Sequence, residues 1–139
     1  MTDTLTPADL DLLHRPLHGF FTVAAGPVPP QPRPVWFEAA EDGTIQLFTG
    51  PGTLKVRRLE RDPRASMVVA APAGEPERWV AVSGPVTITT EGAKELAARL
   101  AARYWDLSDP ALAAAAEQMQ VDEQVRLILH PERVRRFAE

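Results

Sequence analysis

The segment Trp79–Thr90 reads WVAVSGPVTITT, and it decides the fold. It follows a Pro/Gly-rich turn, Pro72–Pro76, and is predicted to be a strand. The segment is long for a strand, and its central Gly84-Pro85 pair predicts a bulge or bend. Long bent strands are typical of small barrels, in which the sheet must curl.

The segments around this strand predict a mainly β (α+β) fold. A hairpin signal, Glu41-Asp42-Gly43, separates two further strand candidates, and the turn chemistry throughout favours antiparallel neighbours. We therefore expect an antiparallel barrel with helices packed at one end. The predicted strands are 18–25, 34–39, 44–49, 65–71, 79–90, 125–130 and 134–137, and the predicted helices are 6–15, a basic helix from about residue 53, 91–105 and 109–119.

The composition excludes several classes of protein. The chain has 139 residues, no cysteine, three well-separated histidines and a net charge of −4. We therefore expect one domain over residues 1–139, with no disulfide, no metal centre and no general nucleic-acid binding. The histidines, including His18, are interpreted as helix-end or surface residues. No apolar run reaches membrane-spanning length and no targeting segment is recognised, so we expect a cytoplasmic protein without a membrane partner.

One segment, Thr49–Pro63 (TGPGTLKVRRLERDP), has the pattern of a phosphate-binding turn. A strand end leads through two glycines into a basic helix, and Thr53 is placed to begin that helix as its N-cap. Gly50 allows the backbone to come close to a ligand. Backbone N–H groups at a helix N-terminus attract anions, and nearby basic side chains add to the attraction.

Helical geometry divides the basic residues of this segment into two pairs. Lys55 and Arg58 are three residues apart and share one face, whereas Arg57 and Arg61 share another. The first pair is predicted to face a phosphate and the second pair to face solvent. The alternative is a solvated basic helix that follows a hairpin and binds nothing.

With these elements in place, the chain resembles the pyridoxamine 5'-phosphate oxidase-like split-barrel flavoproteins, including their deazaflavin-dependent branch. The resemblance spans nearly the whole chain and implies a split β-barrel of six or seven strands. The most specific part is the Lys-x-Arg-x-Leu-x-x-Asp-Pro-Arg stretch from Lys55 to Arg64. The other motifs that carry it are GFFTVAA, RPVWFEA, LFTGPGT, WVAVSGPVTI and RLILHPERV.

The resemblance implies a homodimer with two flavin sites across its interface. In the family, a Thr-x-x-x-Thr/Ser-x-Lys turn holds the cofactor phosphate, and a strand matching 33–37 lies along the isoalloxazine ring. The cofactor-binding residues implied here are Arg33, Val35, Trp36, Thr49, Gly50, Thr53, Lys55 and Arg58, with Trp79 contributed by the partner subunit. Arg58 stands where many relatives carry Asn, and the substrate-holding C-terminal residues of true pyridoxamine phosphate oxidases are not matched. Trp105 is interpreted as a core or interface aromatic.

We therefore predict an FMN-dependent oxidoreductase that acts on an unidentified small molecule. The cofactor supplies the redox chemistry, and no catalytic side chain is named. One alternative is a reductase that uses the deazaflavin coenzyme F420. A second is a non-catalytic protein that binds or senses a flavin or haem, and a third, weaker alternative is nucleic-acid recognition by the arginines of residues 57–64.

Overall fold

The structure is a computed structural model that describes residues 2–139, so Met1 lies outside the description. The helices are α1 Pro7–Leu13, α2 Leu54–Arg61, α3 Ala93–Tyr104 and α4 Pro110–Val121. The strands are β1 Gly19–Val23, β2 Arg33–Val35, β3 Glu38–Ala39, β4 Ile45–Thr49, β5 Arg64–Ala70, β6 Arg78–Thr89, β7 Val125–Leu129 and β8 Arg133–Ala138.

All eight strands belong to one antiparallel sheet that curls into a half-barrel. The order along the sheet is β2-β1-β5-β6-β7-β4-β3, and β8 pairs with β6 outside this path. Along one edge β6 pairs with β5, whereas along the other edge it pairs first with β8 and then with β7. The predicted class, a mainly β antiparallel split barrel with flanking helices, is confirmed.

The change of partner along β6 occurs at the predicted irregularity, Gly84-Pro85. Pairing with β5 continues through both residues, so the irregularity affects only the opposite edge. There the turn between β7 and β8 is bound to β6 by two backbone hydrogen bonds, from His130 N to Pro85 O and from Glu132 N to Ser83 O, both 2.9 Å. A Cβ atom at Gly84 would overlap the carbonyl oxygen of His130, so only glycine permits this close approach.

The inner face of the sheet and helices α1 and α2 bury one continuous apolar core. On β6, Val80 and Val82 point into the core, in register with Val69 and Met67 of β5. Helix α1, which packs Leu12 and Leu13 into this core, begins with a capping box. Thr6 Oγ1 accepts from Asp9 N at 3.1 Å, and the Asp9 carboxylate accepts from Thr6 N at 2.8 Å. The core therefore joins both parts of the curled sheet.

Two arginines fasten α1 to the rest of the protein. Arg136 of β8 donates two hydrogen bonds of 2.9 Å to the buried Asp9 carboxylate. Burial raises the pKa of Asp9, but the hydrogen bonds from Arg136 and Thr6 outweigh it and hold that pKa below its usual range. Arg103 of α3 donates to the carbonyl oxygens of Leu13 and His14 at the end of α1, and of Arg15 just beyond it.

One predicted strand, Pro34–Ala39, is divided in the structure. Its first part is β2, which pairs with β1, and its last part is β3, which pairs with β4. At Trp36-Phe37 the chain crosses between these partners, and Phe37 N donates to Tyr104 Oη at 3.3 Å instead of to a strand. A strand-like sequence does not show which neighbouring strand it pairs with. The break at Trp36-Phe37 was not predicted for this reason.

Among the described residues, no helix is both long enough and apolar enough to cross a membrane.

The contact at Gly84 gives a first prediction. Gly84→Ala is expected to lower the free energy of unfolding by about 3 kcal/mol, because its methyl group must displace the backbone at His130. Gly52→Ala is the matched control, since a Cβ there has no neighbour within 4 Å. Urea unfolding of both variants measures the difference, and equal midpoints would contradict this account of the corner.

Candidate functional site

Five of the predicted cofactor-binding residues line one cavity of about 310 Å³, which we call the basic cavity. It lies where β1, β2, the end of β4 and the start of α2 meet. Thr53 has the extended backbone of an N-cap, as predicted, but its side chain makes no cap hydrogen bond and instead donates to Gly50 O at 3.1 Å. The lining residues are Phe21, Val23, Gln31, Arg33, Thr49, Thr53, Leu54, Lys55 and Arg58.

The start of α2 supplies donors to this cavity. The first N–H groups of a helix have no partner within the helix, and the Thr53 hydroxyl, which often caps such groups, is turned away from them. The Thr49 and Thr53 hydroxyls lie 3.4 Å apart at the same end. The geometry therefore gives free backbone donors, two hydroxyls and basic side chains in one place.

Lys55 is a basic residue of the cavity whose side chain is partly removed from water. Burial lowers the pKa of Lys55, because the ammonium group is partly removed from water. Among the described residues it has no carboxylate within salt-bridge distance, and its Nζ lies 5.7 Å from the centroid of the Phe21 ring. A half-buried cation without a counter-charge is stabilised by any anion that enters the cavity.

The structure places the two pairs of basic residues on different faces of α2. Arg58 is half-buried and lines the basic cavity with Lys55, whereas Arg57 and Arg61 are exposed and line no cavity described here. Arg33, at the start of β2, is exposed at the rim and donates to its neighbours Pro32 O and Gln31 Oε1, both at 3.1 Å.

A second cavity of about 360 Å³, which we call the aromatic cavity, adjoins the first and shares Lys55 with it. Trp36 stacks on Tyr104 with ring centroids 5.2 Å apart and meets Trp105 edge to face at 4.7 Å. The lining residues are His18, Pro34, Val35, Trp36, Phe48, Lys55, Trp105 and Met119. The predicted residues Val35 and Trp36 lie here, and Gly50 lies in the turn below the basic cavity without lining either one.

Trp79 is the predicted residue that the chain does not bring to these cavities. It lies on the outer face of β6, opposite Ala70 of β5, and stacks with Phe137 of β8 at 6.3 Å. The same face carries exposed apolar side chains, with Phe20, Val68 and Phe137 at 45%, 39% and 42% exposure. Within one subunit, Trp79 therefore belongs to an exposed apolar face.

Sequence reasoning did not place His18, Phe48, Trp105 and Met119 at this site. They come from four separate parts of the chain, and no spacing rule connects them. Three larger cavities, of about 620, 560 and 370 Å³, lie elsewhere and contain none of the predicted residues. We favour the smaller pair because only there does a desolvated cation lie beside an aromatic cluster. No group of three or more potential metal ligands occurs among residues 2–139.

Comparison with known proteins gives the family. Residues 12–137 match the sequence profile of the Pyridoxamine 5'-phosphate oxidase family, so the chain belongs to that family. No curated protein matches it.

Solved structures share the fold at low identity. A protein described as an F420 reductase is 21% identical with a TM-score of 0.73, and the match covers 94% of this chain and 98% of that one. The conserved hypothetical protein Rv2991 from Mycobacterium tuberculosis is 22% identical with a TM-score of 0.71, over 97% and 86%. A pyridoxamine 5'-phosphate oxidase-related, FMN-binding protein from Nostoc punctiforme PCC 73102 is 18% identical with a TM-score of 0.69, over 96% and 85%.

Proposed function

We propose that the protein is an FMN-dependent oxidoreductase acting on a small molecule, with the cofactor phosphate in the basic cavity. The observation that carries the proposal is Lys55, a half-buried cation without a carboxylate partner beside the free N–H groups of α2. An anionic phosphate satisfies both requirements at once. The family membership and the FMN-binding protein among the structural neighbours support a cofactor of the flavin type.

The residues of this chain fit such a cofactor. Lys55 and Arg58 would hold the phosphate with charged hydrogen bonds, and the hydroxyls of Thr49 and Thr53 lie beside them. From there β2 leads past Val35 to Trp36, so its backbone follows a path along which a flat ring can lie. When bound, a flavin supplies two-electron redox chemistry, while the protein binds, orients and tunes it.

A specific observation favours a second cofactor. The solved structure described as an F420 reductase has nearly the same length and a TM-score of 0.73. We therefore keep a deazaflavin-dependent reductase as the alternative. A protein that only binds or senses a flavin or haem is distinguished from both by the absence of turnover with a hydride donor.

We also propose that the protein is a homodimer. The outer face of β1, β5, β6 and β8 carries neighbouring apolar side chains, since Phe20 is in register with Val68 and Trp79 with Phe137. Monomeric proteins rarely leave such a patch in water. A second copy on this face would cover it and bring Trp79 to the subunit boundary, which is where the resemblance expects it.

Titration with FMN and riboflavin tests the cofactor and its phosphate site. Lys55→Ala is expected to weaken FMN binding by about 1.5 to 3 kcal/mol, the scale of a lost charged hydrogen bond, with little effect on the melting temperature of the free protein. Arg58→Ala is expected to weaken FMN binding more than riboflavin binding. Quenching of flavin fluorescence measures each affinity, and parallel titration with F420 decides between the cofactors.

Arg61→Ala is the matched control, because Arg61 is an exposed arginine of the same helix. Its effect on either flavin is expected to stay within about 0.5 kcal/mol. A phosphate-selective loss in Arg61→Ala but not in Arg58→Ala would show that the wrong face of α2 has been assigned.

The lowered pKa of Lys55 predicts how FMN affinity varies with pH. Bound phosphate favours protonated Lys55, so its pKa is higher in the complex than in the free protein. FMN affinity is therefore highest below the pKa that Lys55 has in the free protein, and it falls as the pH rises through that pKa. Below about pH 6, protonation of the phosphate also weakens FMN binding. Fluorescence titrations from pH 6 to 10 are expected to show the alkaline loss for FMN, with riboflavin controlling for ionisation of the ring. A Lys55→Ala variant with the same alkaline loss would contradict the assignment.

The dimer is tested by a charge on the apolar face. Val68→Glu is expected to convert a particle of twice 15.2 kDa into one of 15.2 kDa at micromolar concentration, because a buried unpaired carboxylate is costly. Val121→Glu is the control, since Val121 is 73% exposed on α4, away from that face. Light scattering reads the mass, and a wild-type mass of one chain would refute the dimer.

A further inference from the structure

The backbone that lines the aromatic cavity leaves the sheet at the point where it crosses between two strands. Strand β2 pairs with β1 as far as Val35, and β3 begins its pairing with β4 at Glu38. Trp36 and Phe37, which we call the crossing segment, belong to neither pairing. Yet Val35 and Trp36 line the aromatic cavity, along which the flavin ring is proposed to lie. The position of the crossing segment must therefore be set by contacts from elsewhere in the chain.

Tyr104 supplies these contacts. Its hydroxyl accepts a hydrogen bond from Phe37 N at 3.3 Å and donates one to Leu17 O at 2.7 Å. Its ring stacks on that of Trp36, with planes 3° apart and centroids separated by 5.2 Å. One side chain thus holds both the backbone of the crossing segment and the indole that lines the cavity. Because the Phe37 side chain is fully buried in the packed core, the segment has little freedom to shift.

Tyr104 is itself fixed by the end of α3. It is the last residue of that helix, and the residue before it, Arg103, donates to three backbone carbonyl oxygens at and just beyond the end of α1. The Arg103 guanidinium lies 5.6 Å from the centroid of the Tyr104 ring and 5.7 Å from that of the Phe37 ring. The docking of α3 therefore organises the crossing segment in the free protein.

We infer that Tyr104 is a positioning residue for the cofactor ring. Tyr104 lines neither cavity, so it acts through Trp36 and through the backbone of the crossing segment. The inference rests on the proposed function, since it needs a flavin or deazaflavin ring in the aromatic cavity. A displacement of about 1 Å is enough to weaken well-fitted contacts. Loss of the Tyr104 hydroxyl therefore weakens the binding of the ring and leaves the binding of the phosphate intact.

Tyr104→Phe tests the inference, because it keeps the ring that stacks on Trp36 and removes only the hydroxyl. The variant is expected to weaken FMN and riboflavin binding by the same factor, about 3- to 10-fold, because the two ligands share the ring. Lys55→Ala is expected instead to weaken FMN binding far more than riboflavin binding. Quenching of flavin fluorescence measures the affinity of each ligand for each variant.

Thr44→Val is the matched control for a loss of stability. It also removes a buried hydroxyl with two hydrogen bonds, one donated to Asp42 at 2.6 Å and one accepted from Gln46 at 2.9 Å, and Thr44 lines neither the basic nor the aromatic cavity. Both variants are expected to lower the melting temperature of the free protein. Only Tyr104→Phe is expected to change flavin affinity by more than about 2-fold.

A double-mutant cycle with Trp36→Leu shows whether Tyr104 acts through its neighbour. Trp36→Leu alone is expected to weaken riboflavin binding about 3- to 10-fold, as the loss of an aromatic contact. With Leu at position 36, Tyr104→Phe is expected to cost clearly less than it does alone, because part of what Tyr104 positions is gone. A combined loss equal to the product of the two single losses would show independent action and overturns the inference.

A fluorine label gives a second measurement that needs no substitution. Tyr104 is the single tyrosine of the sequence, so biosynthetic incorporation of 3-fluorotyrosine places one fluorine nucleus in the protein, at this residue. Riboflavin is expected to shift the fluorine resonance, with the same saturation curve as the quenching of flavin fluorescence. Inorganic phosphate is expected to leave the resonance in place. A resonance that riboflavin does not move overturns the inference, even where Tyr104→Phe does not fold.

The same titrations separate this inference from the proposed function. A wild-type protein that binds neither FMN nor F420 overturns both. Flavin binding that is unchanged in Tyr104→Phe overturns the inference and leaves the proposed cofactor in place. A loss in Tyr104→Phe that is confined to FMN also overturns it, because Tyr104 would then act on the phosphate and not on the ring.

Discussion

The close approach of the β7–β8 turn to Gly84 is the constraint on which the rest of the sheet depends. Strand β6 has only two edges, yet it pairs with three strands, and this is possible only if one edge changes partner partway along. The change needs a residue without a side chain at the crossing point, where His130 O comes against the backbone of Gly84. Pro85 follows Gly84 directly, and its carbonyl oxygen still accepts a hydrogen bond from His130 N. Because proline has no backbone N–H, it leaves no unpaired donor on the edge of β6 that faces the β7–β8 turn.

The site follows from this division of the sheet. Beyond Gly84, β7 leads to β4 and so positions the end of β4, from which the turn into α2 begins. Before Gly84, β5 leads to β1 and β2, which form the opposite wall. The basic cavity lies between these two parts. Lys55 and Arg58 of α2 line it, whereas Arg57 and Arg61 of the same helix remain in water.

The sequence was informative where one local rule decided the outcome. The Pro/Gly-rich turn before β6 and the Gly84-Pro85 pair within it predicted a long irregular strand. The helical spacing of Lys55 and Arg58 predicted which basic side chains share a face. The aromatic cavity was not predicted, because Trp36 and Trp105 come together only through the docking of α3 against the sheet. The break at Trp36-Phe37 was missed for a related reason, since it depends on a hydrogen bond from Phe37 N to Tyr104, distant in the chain.

Lys55 belongs to the walls of both cavities, so groups bound in the two cavities together would influence each other's affinity through this one side chain. A group that binds the Lys55 ammonium in one cavity would change the hydration and protonation of that ammonium, and so its interaction with a group in the other cavity. By reciprocity, whatever factor the first ligand imposes on the affinity of the second is imposed in return. A single side chain that is half removed from water would in that case couple the two cavities without any movement of the backbone.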